Sequence, residues 1–523
     1  MNSSSKLELR LLPHEYWWGG LSRHGDQMPF DSASQYRQSL YQNLLGNQGC
    51  PLLVSSRGRY VWSEQPFTFE FKDGWLIVED ALGPVIKGEG HGTLRGAYSD
   101  ACTRYFSPSG IVPHPLSFTA PQYNSWIDVR KTPTHKKVLE YALSILQAGL
   151  PSGVLMIDDF WYRNCGIWKW DSDAFPDPKA MVDQLHAWGF LVMLWICPWV
   201  TADTREYDLL AKQGYLLTAN NMPHGDDLEF ASAAEDRPVI QRWWNGYSAV
   251  LDLSNPAAFE WLQGELDELV EKSGIDGFKF DGGDPFRYLP SYKSFAPRTP
   301  NEHCEDFGRI GLKYRLSEYR ACWKLGGQHL LQRVRDKAHT WGMGGLADTI
   351  PTSLAQGLSG YPYTCPDMVG GGEVTYDIGQ LDQELYVRWA QSGTFFPVIQ
   401  YSLLPNRVLD HQHLPYCMDM IALRRKMGPT ILALATHAAN TGEPIMRHMA
   451  YVFPDSGFEK VLDQYMLGDE FLVAPVLTKG QIRRVVKFPP GKWKGDDGSL
   501  MNGPCEVEID APLSRLPWYT RLA

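Results

Sequence analysis

At 523 residues, 44% hydrophobic and 21% charged, the chain has an ordinary globular composition and length for roughly three domains. Its net charge of −11 is spread along the sequence without a basic patch, which argues against nucleic acid as a partner. No apolar run reaches about 18 residues, so no membrane span is expected.

Residues 1–10 lack the apolar stretch of a signal peptide, so a cytoplasmic chain is expected. The nine cysteines are scattered, with no CxxC or Cys/His spacing. They read as free thiols in a reducing compartment, and no metal or other cofactor is expected. Residues 1–118 look β-rich. Residues 65–74 alternate and end in Asp73-Gly74, a hairpin turn leading into a partner strand at 75–80. Strands at this spacing suggest a sandwich. The aromatic, glycine-rich stretch 14–20 is either a loop reaching a site or a plug between domains.

From about residue 119 the pattern becomes strand, helix, strand. Residues 136–148 carry Val138, Leu139, Tyr141, Ala142, Ile145 and Leu146 at helical spacing. An apolar run at 154–161 ends in Asp158 and Asp159. A helix is expected over 180–188, a strand over 190–198 and a helix over 256–272. Long connections at 201–245 and 285–317 would build a site rim, and a helix is expected over 318–340. From about 430 the helical period fades; strands are expected at 471–477 and 482–488, with a turn at 489–493. The predicted architecture is α/β: a (β/α)8 TIM barrel over 119–430, an N-terminal β-sandwich over 1–118 and a small C-terminal β-domain over 431–523. No GxGxxG follows a strand, which argues against a dinucleotide fold.

Residues 274–284 are the stretch around which the chain is organised. A short apolar run ends in Asp281-Gly282-Gly283-Asp284. Lys279 and Asp281 point the same way on a strand. At the carboxyl end of a barrel strand they are either catalytic or an ion pair capping the strand. Further acids at strand ends are Asp158, Asp159, Asp348 and Asp367. Several Asp, many Trp (19 in all) and no metal-spaced His suggest glycoside hydrolysis by two carboxylates. A neighbouring Lys would keep the nucleophilic Asp ionised. Taken singly, most such acids are loop or cap residues.

Several separated motifs, in this order, resemble glycoside hydrolase family 31, the retaining α-glycosidases. They are residues 51–58, Phe175-Pro176-Asp177-Pro178, residues 357–367, and Gly468-Asp469-Glu470-Phe471 running to Val476. The resemblance implies Asp281 as nucleophile, Asp348 as general acid/base, and Asp158 and Trp195 as walls of the glycone subsite. Three features depart from the family's α-glucosidases: Lys279-Phe280-Asp281-Gly282 at the nucleophile, Gly344 to Ala347 where those members place Arg-Trp-x-Gly before the acid/base Asp, and Gln400-Tyr401-Ser402 where they have Arg-Asn-His. The Lys279-x-Asp281 strand and the Asp158-Asp159 pair resemble the family's α-galactosidase-like branch. Asp159 and Lys279 are then the candidates for the axial 4-hydroxyl, with Trp126, Asp284 and Gln400 as further substrate-binding residues. Trp17 and Trp62 are weighed equally as sugar platforms or core.

The resemblance thus implies a retaining, exo-acting α-galactosidase acting on an oligosaccharide or other glycoside. The alternatives are an α-glucosidase or transglycosylase of the same family, and a catalytically silent carbohydrate-binding relative. No arginine cluster for a carboxylate or sulfonate is evident, so a neutral hexose is expected. A homo-oligomer is left open.

Overall fold

Asp73 and Gly74, both at positive φ (50° and 76°), turn the chain between antiparallel strands Thr68–Lys72 and Trp75–Ala81. This is the backbone that an Asp-Gly hairpin turn requires. The computed structural model describes residues 5–42, 46–220, 236–373 and 378–522. The hairpin lies in a four-stranded sheet with Ser5–Arg10 and Tyr36–Ser39. A second sheet holds Trp17–Leu21, Gln48–Ser55, Tyr60–Ser63 and Val85–Gly88. Their shared core contains Trp17, Trp18, Trp62, Phe69 and Phe71. The stretch 14–20 is therefore the plug: Trp17 and Trp18 are fully buried, and Glu15 is paired with Arg59 beneath them. Trp62 stacks on Tyr105 in the same core.

Eight short parallel strands form the barrel. They are β1 (Gln122–Asn124), β2 (Val154–Ile157), β3 (Leu191–Ile196), β4 (Gly277–Phe280), β5 (Ser317–Tyr319), β6 (Leu331–Arg333), β7 (Thr364–Cys365) and β8 (Gln400–Tyr401). Their order is 8-1-2-3-4-5-6-7. A bridge from Met368, just beyond β7, to Gln400 in β8 brings the ends together. The barrel helices α1 (His135–Gln147), α2 (Pro178–Ala187) and α3 (Pro256–Ser273) start at side-chain caps, Thr134, Asp177 and Asn255. Gly274, at φ 78°, ends α3 in the left-handed conformation and delivers the chain to β4. The remaining barrel helices are α4 (Pro300–Ile310), α5 (Thr349–Leu358), α6 (Gln383–Gly393) and α7 (Leu414–Thr441).

Three expectations are corrected. Residues 318–340 are not a helix. They contain β5, the strand Cys322–Trp323, which pairs in parallel with Gln48–Ser55 of the N-terminal domain, and β6. Gly327, at φ 73°, interrupts any helix there, and a Cβ on it would meet the Phe106 carbonyl oxygen at 2.5 Å. The missing helix sits instead inside 285–317, as α4, started by a capping box between Thr299 and Glu302. At the C-terminal end, α7 runs past residue 430 to Thr441 despite Pro429, and Gly442 at φ 74° stops it. Residues 489–493 belong to the long strand Arg483–Gly495, bulged between Phe488 and Gly491, within a six-stranded C-terminal sheet. The connection 201–245 includes strands and a helix, Arg205–Lys212; its residues 221–235 lie outside the described residues. Among the described residues no helix is long and apolar enough to cross a membrane.

Candidate active site

β4 alternates as a barrel strand must. Phe278 and Phe280 pack outward on Tyr314, Phe307 and Tyr319, and Lys279 is left on the other face. Gly277 is obligatory there, since a Cβ would stand 1.9 Å from the carbonyl oxygen of Leu316, the residue before β5. Asp281 follows at the carboxyl end. Its Oδ1 accepts from Arg320 Nε at 2.6 Å and from the Gly282 N–H at 2.7 Å, and its Oδ2 accepts from Trp195 Nε1 at 3.2 Å. Burial alone would raise its pKa. The Arg320, Lys279 and Arg333 charges outweigh that and hold the carboxyl well below the usual range. Asp281 is thus a fixed carboxylate, aimed and unable to take a proton near neutral pH.

Lys279 does not bond Asp281 directly. Its Nζ donates to Asp158 Oδ2 at 2.6 Å, and both side chains are about 4% exposed. Replacing one partner of such a pair strands the other charge, at a cost of about 3–5 kcal/mol. Asp158 ends β2, and its other oxygen accepts from the Asp159 N–H at 2.8 Å. Asp159 accepts from the Tyr162 hydroxyl at 2.5 Å and from Asn245 Nδ2 at 2.6 Å. Burial pushes its carboxyl up to about 6; Asp158 adds to this, while the Tyr162 and Asn245 bonds oppose it. Phe160, next in the chain, holds φ 75°, a strained conformation for a non-glycine residue.

Trp126, Asp158, Asp159, Trp195, Lys279 and Asp281 line one cavity of about 360 Å³. Lys131, Trp244, Arg320, Arg333, Asp336 and Met368 complete its wall. Three expected residues lie elsewhere. Asp284 is fully buried behind the wall, where its Oδ2 accepts from Arg320 Nη2 at 2.9 Å. It holds the arginine that holds Asp281. Gln400 is buried inside the barrel, donating to Gln122 Oε1 at 2.8 Å and Glu318 Oε2 at 3.0 Å. Asp348 stands just before α5 without a capping bond to its backbone and lines a different cavity; its carboxylate accepts from Lys337 Nζ at 2.6 Å and from the Thr352 hydroxyl at 2.9 Å.

The second acid in the Asp281 cavity is Asp336, three residues past the end of β6. Its side chain is about 44% exposed, and its Oδ1 accepts from Arg333 Nη1 at 2.8 Å. Arg333, fully buried, also reaches Asp367 Oδ1 at 2.7 Å. Enclosure favours the neutral form of Asp336, but Arg333, Arg320 and Lys279 hold its carboxyl below the usual range, while the Asp281 charge works in the opposite direction. Arg320, Arg333 and Asp336 were hidden by reading 318–340 as a helix. Residues 330–336, Leu-Leu-Gln-Arg-Val-Arg-Asp, are broken by Gln332, Arg333 and Arg335, so no apolar run like those before Asp158 and Asp281 marks this strand.

Residues 117–329 and 334–427 match the family model described as the glycosyl hydrolases family 31 TIM-barrel domain, and residues 442–522 match the family 31 C-terminal domain. Myogenesis-regulating glycosidase of Mus musculus is 32% identical over 80% of this chain and 58% of its own length. An α-xylosidase of Lactiplantibacillus pentosus is 26% identical over 77% of this chain and 52% of its own. The chain therefore spans a little over half the length of these curated relatives. Among solved structures, a family 31 dextranase of Flavobacterium johnsoniae superposes with a TM-score of 0.85 at 19% identity, over 100% of this chain and 67% of that one. An α-xylosidase from a soil metagenome, complexed with xylose, gives 0.85 at 22% identity, over 99% of this chain and 79% of that one.

Proposed function

The chain belongs to glycoside hydrolase family 31; on this premise we propose that it is a glycosidase, and specifically a retaining, exo-acting α-galactosidase. Asp281 is the nucleophile and Asp336, in place of Asp348, the acid/base. The observation that carries this is a single cavity holding an ionised, clamped Asp281 and a second, solvent-reaching carboxyl at Asp336. Asp281 attacks C1 while Asp336 gives its proton to the departing glycosidic oxygen, leaving a β-linked glycosyl ester. Asp336 then takes a proton from water as the water attacks C1, and Asp281 leaves as carboxylate. The two charges are coupled in the required sense. In the free protein the Arg333, Arg320 and Lys279 charges keep Asp336 ionised, so the acid role requires that bound substrate bring the proton onto it; the anionic Asp281 works in that direction, and once Asp281 is esterified that support is gone and Asp336 becomes the base.

The glycone assignment rests on Lys279, Asp158 and Asp159. Their cluster offers a cation and two carboxyls to the 4- and 6-hydroxyls at the deep end of the cavity. The test is hydrolysis of p-nitrophenyl α-galactoside, α-glucoside and α-xyloside side by side. The α-galactoside should have the highest kcat/KM. A faster glucoside or xyloside would discard the glycone and leave the catalytic pair standing.

An ionised Asp159 is the better acceptor for a sugar hydroxyl. The log kcat/KM profile should therefore rise through a limb near pH 6, and Asp159→Asn should erase that limb. A profile unchanged in the variant would remove Asp159 from sugar binding. The stability effect runs the opposite way. The raised carboxyl favours the folded state at acid pH, and this contribution is lost as pH climbs from the ordinary 3.8 through about 6.

A further inference from the structure

Beside the catalytic cavity lies a second one of about 170 Å³ that shares Asp336 with it. Arg23 and Asp26, from the short helix Ser22–Gln27, line one side together with Asn47. Arg335, Lys337 and Asp348 line the other. The two sides are locked in place. Gly25 lies against the first turn of α5 so closely that a Cβ would meet the Pro351 carbonyl oxygen at 2.2 Å. The Arg335 N–H donates to Asn47 Oδ1 at 2.6 Å.

Most cations around the active site are committed. Arg320 holds Asp281 and Asp284, Arg333 holds Asp336 and Asp367, and Lys337 holds Asp348. Arg23 and Arg335 differ: among the described residues neither guanidinium has a hydrogen bond or ion pair. Burial and the charge of Arg335 both push the Arg23 pKa down, against the weaker pull of Asp348 and Asp26. Holding two uncommitted guanidiniums near each other is unfavourable until an anion joins them. Asp336, as the acid that protonates the departing oxygen, marks this side as the one where the leaving group sits.

We propose that Arg23 and Arg335 form a leaving-group subsite for a sugar bearing an oxyanion, a carboxylate or a phosphate. This rests on the glycosidase reading and deepens it: the glycone stays a neutral hexose, and the negative charge is on the aglycone. Asp26 and Asp348 lie on the same walls, so a cationic aglycone is the competing ligand by charge. It is disfavoured because Asp348 is already paired with Lys337 and Asp336 with Arg333, leaving two cations against Asp26. On this reading the chain carries an arginine pair for an anion that is not evident in the sequence. The pair is assembled from the N-terminal domain and the β6 loop, far apart in sequence.

The test is calorimetric binding of glucuronate, glucose 6-phosphate, glucosamine and glucose to the full chain and to its Arg23→Gln and Arg335→Gln variants. One of the two anions should bind at least about tenfold tighter than glucose, and which one it is identifies the oxyanion. The preference should weaken with added salt and fall at least several-fold in each variant. Equal binding of glucose and both anions, tighter glucosamine, or an anion preference that survives both substitutions would overturn the proposal. Turnover of an aryl α-galactoside by the unmodified chain is read separately. Its failure would discard the glycosidase reading while an arginine-dependent anion preference would still stand, and the converse result would discard only the subsite.

Discussion

Asp281→Ala is expected to lower kcat on aryl α-galactosides by on the order of 10⁵-fold, about 7 kcal/mol of lost transition-state stabilisation. On the proposed mechanism the side chain is both the attacking group and the charge opposite the developing oxocarbenium ion. Its three donors, Arg320, Gly282 and Trp195, are already in place in the free protein, so geometry as well as charge is prepaid. The fold should survive, because Arg320 keeps Asp284 as its partner. Circular dichroism and the denaturation midpoint check that point. Added azide should restore turnover and give a β-galactosyl azide, since an external nucleophile then takes the place of Asp281. Activity within tenfold of the unmodified protein would remove Asp281 from the mechanism.

Asp336→Ala should separate substrates by leaving group. With a poor leaving group, such as a second sugar, the loss should be about 10³- to 10⁴-fold, because the departing oxygen needs its proton. With an activated aryl leaving group, bond cleavage should suffer far less, and the glycosyl ester should accumulate for want of a base. Azide should then speed turnover and give an α-galactosyl azide, the anomer opposite to that from Asp281→Ala. Asp348→Ala is the control between the two candidate acids. It strands Lys337, so stability should fall, while the leaving-group dependence stays that of the unmodified protein. A strong leaving-group dependence in Asp348→Ala, with none in Asp336→Ala, would return the acid/base role to Asp348.

Legibility from sequence followed locality. Asp158, Asp159, Trp195, Lys279 and Asp281 each end an apolar run that can be read within ten residues, and the structure places all of them on one cavity. Asp336 and Arg320 flank strands of three residues each, in a crossover that borrows a partner from the N-terminal domain. Pairing with Gln48–Ser55 decides that conformation, and no local period reports it. Asp348 is ambiguous for a complementary reason: an acid preceding an apolar helix is a cap-position signal as much as a catalytic one, and here it heads α5. Asp284 and Gln400 were expected to bind substrate, and the structure sets both outside the cavity. Their task is to hold Arg320 and Glu318 from behind. The Arg23–Arg335 pair required the tertiary fold itself, since its members lie on two domains.

The most direct test of the double displacement is the anomer released in the first turnovers of p-nitrophenyl α-galactoside by the unmodified protein, followed by proton NMR before mutarotation. Attack by Asp281 followed by attack of water on the same face as the departed aglycone predicts α-galactose first. Initial release of β-galactose would mean a single displacement by water, and Asp281 would then be a base, contradicting the role given to it here.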